Sequence, residues 1–369
     1  MIKQKERRTY EKTISLLLCA AMTAGVLSGC GQKDTASETV RTENQEQENT
    51  NGAAGQAPKA EEPADNKDAA VIRCGITVSQ NSLPAEALEV FNESLKKATD
   101  GTVRLEVFYD GTMGNERDVI EGVSMGTIEM YAGSTAPLAN FVDDFNIWDL
   151  PYMVDMNKLE DAYAIMDGAI GQKMLDSLSS IGTKGLAISH QGFRCMLNGK
   201  KEVTKPADAK NLVIRTMEND IHLEFYREIG ANPVAMASTE AFTALAQGTI
   251  DGMDNILDAF YTQGAFESAK YLTMTGHIIS GYVFLINEDV FNSLTEQQQA
   301  AVQQAGKDAA VFMRNRAMEK MDEIAEIARD EYGVTVTQVD TQEWKDASAK
   351  VAEKYKGGID TEYWNAFYE

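Results

Sequence analysis

The chain has 369 residues, with 57 acidic against 34 basic side chains, a formal net charge of −23 and 43% hydrophobic residues. That length exceeds one ordinary domain and accommodates two lobes, each with its own core. The acidic excess argues against nucleic acid and anionic lipid as partners, and any anionic ligand must be held by a local positive site set in a negative field.

Five basic residues, Lys3, Lys5, Arg7, Arg8 and Lys12, precede an apolar run from Ile14 to Leu27. The run is too short to span a bilayer comfortably, so it reads as an export signal over residues 1–29. It ends Leu27-Ser28-Gly29-Cys30, which resembles the lipobox of bacterial lipoproteins. That resemblance implies that Cys30 is diacylated, becomes the mature N-terminus and anchors the chain to the cell membrane, two acyl chains being enough for stable attachment. The alternative is an ordinary signal peptide with a chance Cys. Removal of residues 1–29, which carry five basic and two acidic side chains, takes the net charge to −26. The following segment, to about residue 70, is rich in Glu, Gln, Asn, Thr, Ala and Pro and cannot bury enough apolar surface to offset its ordering entropy, so it reads as a disordered tether.

The folded part begins near Val71. A strand over 71–78 is followed by a helix from Ser82, with Pro84 in its first turn, to about Thr99. The Asp100-Gly101 turn leads into a strand over 102–109, a helix over 115–125 closed by Gly126, and a strand over 127–131. Helical sequence near 158–180 precedes two short strands, 185–189 and 192–197. A second alternating set follows: strand 212–216, helix 220–229, strand 233–236, helix 239–246 and strand 249–253. An apolar strand over 281–287 then returns the chain to the first lobe. Thr295-Glu296-Gln297-Gln298 is a capping box opening a helical pattern that runs to about Tyr332. Such a helix would extend over roughly 50 Å, enough to lie across both lobes. Its apolar positions are Ala-rich and lack a Leu/Ile heptad seam, which places it against this chain's own lobes rather than in a coiled coil. Alternating helices and strands predict an α/β protein with a largely parallel sheet and two lobes: 71–192 with about 281–320, and 193–280 with about 321–369.

Cys74 and Cys195 sit in separate apolar strand-like runs and read as two buried thiols; no CxxC or Cys/His cluster points to a metal, and no cofactor motif is present. His190, His222 and His277 are scattered without metal-ligand or catalytic spacing and read as packing or surface residues. Arg215 is different. It closes a strand whose other members, Leu212, Val213 and Ile214, are apolar, and in open α/β sheets the carboxyl ends of strands are where ligands bind. Its planar guanidinium matches a carboxylate bidentately, although a surface ion pair would use the same chemistry.

The residues after Arg215 carry a resemblance. Gly230, Ala231, Asn232, Pro233, Met236, Thr239, Glu240, Ala244, Leu245, Gly248, Asp251, Gly252 and Asn255 stand in the register of the solute-binding receptors of TRAP transporters, the DctP family. Phe108 with Gly114, Leu150-Pro151-Tyr152, Gly192-Phe193-Arg194 and Thr273 to His277 extend the likeness over nearly all of 71–351. It implies a two-lobed periplasmic-binding-protein-like fold with a long helix crossing both lobes. By the same match Arg215 grips the ligand carboxylate, Arg194 is a second cationic contact, and Asn255 offers an amide to another ligand oxygen. Tyr152 and Met217 are expected to line the cleft, and Ser134 and Thr77 to be polar contacts.

The sequence also departs from the family. Ser238 stands where an aromatic often covers the ligand, Asp254 replaces Glu, Ile256 replaces Pro, and Ala209-Lys210-Asn211 lacks the usual Gly. The resemblance therefore implies an extracytoplasmic receptor for a small organic acid, with a small and a large TRAP membrane subunit as partners, uptake driven by an ion gradient, and no enzymatic role. A receptor of an ATP-driven importer, or a chemosensor, would share anchoring and lobes, and an anchored hydrolase would need a nucleophile and base that the sequence does not display.

Overall fold

The computed structural model describes residues 69–368. The expected signal, Cys30 and most of the tether lie outside the described residues.

Among the described residues one sheet of nine strands organises the fold. In order along the sequence they are β1 (Ala70–Gly75), β2 (Val103–Phe108), β3 (Met130–Ser134), β4 (Thr183–Asn198), β5 (Val213–Thr216), β6 (Asn232–Ala235), β7 (Gly252–Asn255), β8 (Tyr271–Asn287) and β9 (Thr335–Gln338). Their spatial order is β2-β1-β3-β8-β4-β7-β5-β6, with β9 beside β8. Both flanks are parallel, β1 pairing β2 and β3 at one side and β5 pairing β6 and β7 at the other. The centre is antiparallel, through β3 with β8, β8 with β4 and β4 with β7. The sheet is therefore mixed rather than largely parallel, because the two parallel sets are joined by two long strands that run in opposite directions.

Those strands, of 16 and 17 residues, each serve both lobes. At one end β4 and β8 continue the β1–β3 flank, and at the other they continue the β5–β7 flank. The two segments expected at 185–189 and 192–197 are one strand, interrupted by a register shift between His190 and Phe193 where Gly192 adopts φ +106°. A residue with a side chain is strained there, and the irregularity bends the strand between the lobes. The expected divisions at 192/193 and 280/281 fall inside β4 and β8, the first at this shift.

Local chemistry explains most of the element ends. The helix Leu83–Ala98 is capped by Ser82, holds Pro84 in its first turn and ends with Lys96 and Lys97, favourable near the negative pole of the helix dipole. The helix Glu116–Ser124 opens with a capping box in which Asn115 Oδ1 accepts from Asp118 N at 3.1 Å and the Asp118 carboxylate accepts from Asn115 N at 2.9 Å. The strand expected over 127–131 instead begins at Met130, because the amides of Thr127 and Ile128 both turn back to Gly122 O and close the preceding helix. The strand expected over 249–253 likewise starts later, at Gly252.

The long helix is Glu296–Asp330, 35 residues opened by Thr295. It packs on the helix Leu83–Ala98 and on β4 through a stripe of small residues, Ala305, Gly306, Ala309 and Ala310, at helical spacing. Its backbone comes close enough for Gln303 Nε2 to donate to Leu186 O at 2.6 Å and for Ser189 Oγ to donate to Ala310 O at 2.8 Å. One core gathers Phe91, Leu105, Phe284 and Met313 beneath β1–β3, and another gathers Ile214, Phe225, Tyr226 and Trp344 beside β5. Cys74 and Cys195 are separate buried thiols. Among the described residues no helix is long and apolar enough to cross a membrane.

A Cβ atom at Gly306 would stand 2.9 Å from Leu186 Cβ, so the helix can approach β4 only with glycine or a shift of the sheet at this point. Gly306→Leu is therefore expected to lower stability by about 2 kcal/mol in urea unfolding, the scale of overpacking a dense core, despite leucine's better helix propensity.

Candidate functional site: a cleft with one unpaired guanidinium

Four strands, two from each parallel flank of the sheet, end at the same cleft. Ile76, Thr77 and Val78 follow β1, Gly133 and Ser134 close β3, Arg215 and Met217 lie at the end of β5, and Asn255 closes β7. Gln191 and Arg194 of β4 and Tyr282 of β8 form the floor, and Glu116, Ser238 and Phe242 complete the sides. The cleft encloses about 520 Å³ of space including its open side. The walls meet at the mouth, where Asn140 Nδ2 donates to Glu218 O at 2.7 Å, so the lobes stand closed on each other.

Arg215 is 1% exposed. Its Nε and Nη2 donate to Met236 O at 2.9 and 2.6 Å, and Nη1 has no hydrogen-bond partner among the described residues. Burial lowers its pKa to about 10, with Arg194 acting in the same direction and Asp254, Glu116 and Glu218 opposing it. The group stays cationic at neutral pH, yet no carboxylate is within ion-pair distance of it among the described residues.

Arg194 has the opposite environment. Its Nε and Nη2 hold Asp254 Oδ2 and Oδ1 at 2.9 and 3.0 Å, and Nη2 also donates to Asp254 O at 2.9 Å. Both residues are buried, 2% and 0% exposed. Burial alone would raise the Asp254 carboxyl, but Arg194 and the neighbouring His222 and His277 hold it well below the usual carboxylate range. His222 Nδ1 and His277 Nε2 lie 3.5 and 3.4 Å from Asp254 Oδ2, close but out of hydrogen-bond alignment. His222 Nε2 meets Asp149 Oδ1 at 2.8 Å, and Asn219 Nδ2 donates to Asp149 Oδ2 at 3.2 Å. Burial would depress His222, but Asp149 and Asp254 together lift it above its ordinary value, whereas burial dominates at His277 and lowers it. Arg194 is paired with Asp254 and His222 meets Asp149, so Arg215 is the cleft arginine without an ion-pair partner among the described residues.

The facing wall carries Glu116. Its Oε1 accepts from Ser134 N at 2.9 Å and Tyr131 Oη at 3.0 Å, while Oε2 has no hydrogen-bond partner among the described residues. Burial raises its pKa, and these bonds and Arg215 work against that shift. Asn255 uses Oδ1 to accept from Ile256 N at 2.9 Å, which leaves its Nδ2 as a donor. Gln191 Nε2 donates to Ser280 Oγ at 3.2 Å.

Of the residues expected from the sequence, Arg215, Arg194, Asn255, Met217, Ser134 and Thr77 come together in this cleft, and so does the departure Ser238. Tyr152 does not. It takes up φ +56°, its N–H bonds His277 O at 2.7 Å and its hydroxyl donates to Thr275 O at 3.2 Å, turning the ring to the flank of β8. All three histidines are buried rather than at the surface. His190 is a packing residue bonded to Tyr163 Oη at 3.0 Å, and burial lowers its pKa to about 3. The acidic partners of His222 come from residues 149 and 254, too far along the chain for spacing to reveal. Glu116, Gln191 and Phe242 were missed. Glu116 was hidden because the first position of a capped helix is an ordinary place for an acid.

The profile of the bacterial extracellular solute-binding proteins, family 7, matches residues 74–357. A solute-binding protein of Verminephrobacter eiseniae is 37% identical over 248 residues, 67% of this chain and 73% of that protein. The crystal structure of a TRAP periplasmic solute-binding protein from Polaromonas bound to D-erythronate is 31% identical, with a TM-score of 0.77 over 81% of this chain and 98% of its own. A sugar acid binding protein from Advenella mimigardefordensis, solved with galactonate, is 30% identical, with a TM-score of 0.77 over 82% and 97%. The chain belongs to the bacterial extracellular solute-binding proteins of family 7, the DctP family of TRAP solute-binding proteins.

Proposed function

We propose that this protein is a lipid-anchored, extracytoplasmic receptor that captures a polyhydroxylated monocarboxylic acid and delivers it to a small and a large TRAP membrane subunit, without catalysing a reaction. Anchoring would be through Cys30. The observation that carries the reading is Arg215: a buried guanidinium facing a closed cleft with a donor to spare and no carboxylate at ion-pair distance among the described residues. Such a charge is costly unless a ligand anion completes it. A carboxylate does so through short, charge-assisted bonds, and Asn255 Nδ2 stands on the same wall for a second oxygen.

The rest of the lining selects what is attached to that carboxylate. Thr77, Ser134, Gln191 and Ser238 are neutral polar groups suited to hydroxyls. Glu116 offers an acceptor oxygen on the far wall, where a ligand hydroxyl is a partner and a second carboxylate is repelled. The relatives solved with D-erythronate and galactonate bind acids of this type, which supports the same class here.

Titration calorimetry with D-erythronate, D-galactonate and succinate tests the reading. The sugar acids are expected to bind, and at a hundredfold excess over Kd the bound acid should stabilise the fold by about 2.7 kcal/mol. Arg215→Ala should weaken binding by about a hundredfold, the scale of a lost charged hydrogen-bond pair; equal affinity in the variant would remove the anchor. Glu116→Gln should weaken D-galactonate while narrowing its advantage over succinate, and an unchanged ratio would show that Glu116 does not discriminate. Arg194→Met is expected to act on stability instead, by about 3–5 kcal/mol in urea unfolding, because Asp254 would stay buried without its cation.

A further inference from the structure

Asp258 lies three residues beyond Asn255, on the short helix Leu257–Thr262, and belongs neither to the cleft lining nor to the buried charge centre. Its carboxylate is nonetheless buried, 5% exposed, and faces two other elements. Oδ2 accepts the amide of Leu83 at 2.9 Å, across the lobes, at the first residue of the helix Leu83–Ala98. That helix packs on β2 and on the long helix, whereas Asp258 follows β7.

The amide is one the helix cannot satisfy by itself. Among the first-turn donors Ala85 N bonds Ser82 Oγ at 3.4 Å, Glu86 N bonds Ser82 O at 3.1 Å and Pro84 has no N–H, which leaves Leu83 in need of an outside acceptor. On its other side Asp258 Oδ1 lies 3.2 Å from Lys320 Nζ of the long helix, and the same ammonium donates to Glu86 Oε1 at 2.7 Å. One carboxylate thus ties together the segment that carries Thr77, the segment that carries Asn255, and the helix that spans both lobes.

The joint is only partly satisfied. Oδ1 is buried, and its contact with Lys320 is out of hydrogen-bond alignment. Burial raises the pKa of this carboxyl, although Lys320 and the Leu83 amide pull against that shift. In a lobe-open form water would complete both the carboxylate and the Leu83 amide. Closure therefore exchanges full hydration for an incomplete set of protein bonds, a near balance that leaves the closed form dependent on what fills the cleft.

We infer that Asp258 is a closure latch: a positioning residue whose bonds to Leu83 and Lys320 form only when the lobes close, and which thereby slows release of the acid held by Arg215 and Asn255. It touches no ligand. The latch rests on the reading of the cleft as a carboxylate site, and its signature is kinetic, since a contact made after encounter changes dissociation rather than association.

Stopped-flow tryptophan fluorescence of the full chain with D-galactonate as probe tests it. Asp258→Ala should raise the dissociation rate by about tenfold with the association rate unchanged, and Asp258→Asn, which keeps an acceptor for Leu83 but loses the charge facing Lys320, should fall between the two. Equal dissociation rates in all three proteins would overturn the latch. Hydrogen exchange of the ligand-free chain separates this from a failure of the carboxylate site. In Asp258→Ala, exchange should rise at 79–91 and 255–262 and also at 109–114 and 236–242, which meet at the mouth, where a Cβ at Gly111 would touch Thr239. A rise confined to 79–91 would make Asp258 a local cap and overturn the proposal. If D-galactonate fails to bind the unmodified protein, the carboxylate reading is what falls, and the exchange pattern alone then decides the latch.

Discussion

The bidentate pair between Arg194 and Asp254 is the interaction on which the site depends. Two arginines stand in one buried region, and a region of low dielectric does not hold two like charges without compensation. The Asp254 carboxylate neutralises one of them through two short bonds, with a third to its backbone carbonyl, and His222 beside it meets Asp149. Among the described residues Arg215 is the arginine of this region left without a carboxylate at ion-pair distance, and it stands in the cleft where two strands of each parallel flank end. Had Asp254 reached Arg215 instead, Arg194 would be the cation left over, and the free charge would sit on β4 rather than at the end of β5. The substitution of Asp for the family's Glu at this position is thus compatible with the pair.

The two long central strands convert that electrostatic arrangement into a mechanical one. Because β4 and β8 run through both lobes, the lobes share a hydrogen-bonded spine, which bends at irregular points such as the register shift at His190–Phe193. Arg194 lies just beyond that shift and Gln191 lies within it, so the residues most sensitive to the bend also form the floor of the cleft. The long helix adds a strut on one face of the spine. Its small residues hold it against β4 in the first lobe, while Met321 and Ile324 continue into the core shared with the second.

Much of this was legible in the sequence, and what was not has identifiable causes. The caps of the helices beginning at Leu83, Glu116 and Glu296 are written locally, in Ser82, in the Asn115 and Asp118 box and in the Thr295 and Gln298 box. Arg215 was recognisable because a charged residue closing an apolar strand contradicts its surroundings. The mixed character of the sheet was not legible: a strand's sequence records whether its faces are buried, not the direction of its neighbour. Arg194, expected as a second cationic contact, lines the cleft, yet its tie to Asp254 spans 60 residues and no local pattern encodes it. Tyr152 was misplaced for a related reason, since its left-handed backbone reverses the direction of the ring while leaving the Leu150-Pro151-Tyr152 motif intact.

The cleft is polarised, and that bears on selectivity more than its volume does. Arg215 supplies a positive wall and Glu116 an acidic one, with neutral donors and acceptors between them. Glu116 is held in place by Ser134 N and Tyr131 Oη through one oxygen, so the other cannot turn away to accommodate a second anion without giving up those bonds. On the proposed reading, a monocarboxylate with hydroxyls would align with this field along its length, its anionic end completing Arg215 and a hydroxyl hydrogen reaching the Glu116 oxygen. A symmetric dicarboxylate satisfies one wall at the expense of the other. Discrimination of this kind comes from an unfavourable contact with the wrong ligand as much as from a favourable one with the right ligand.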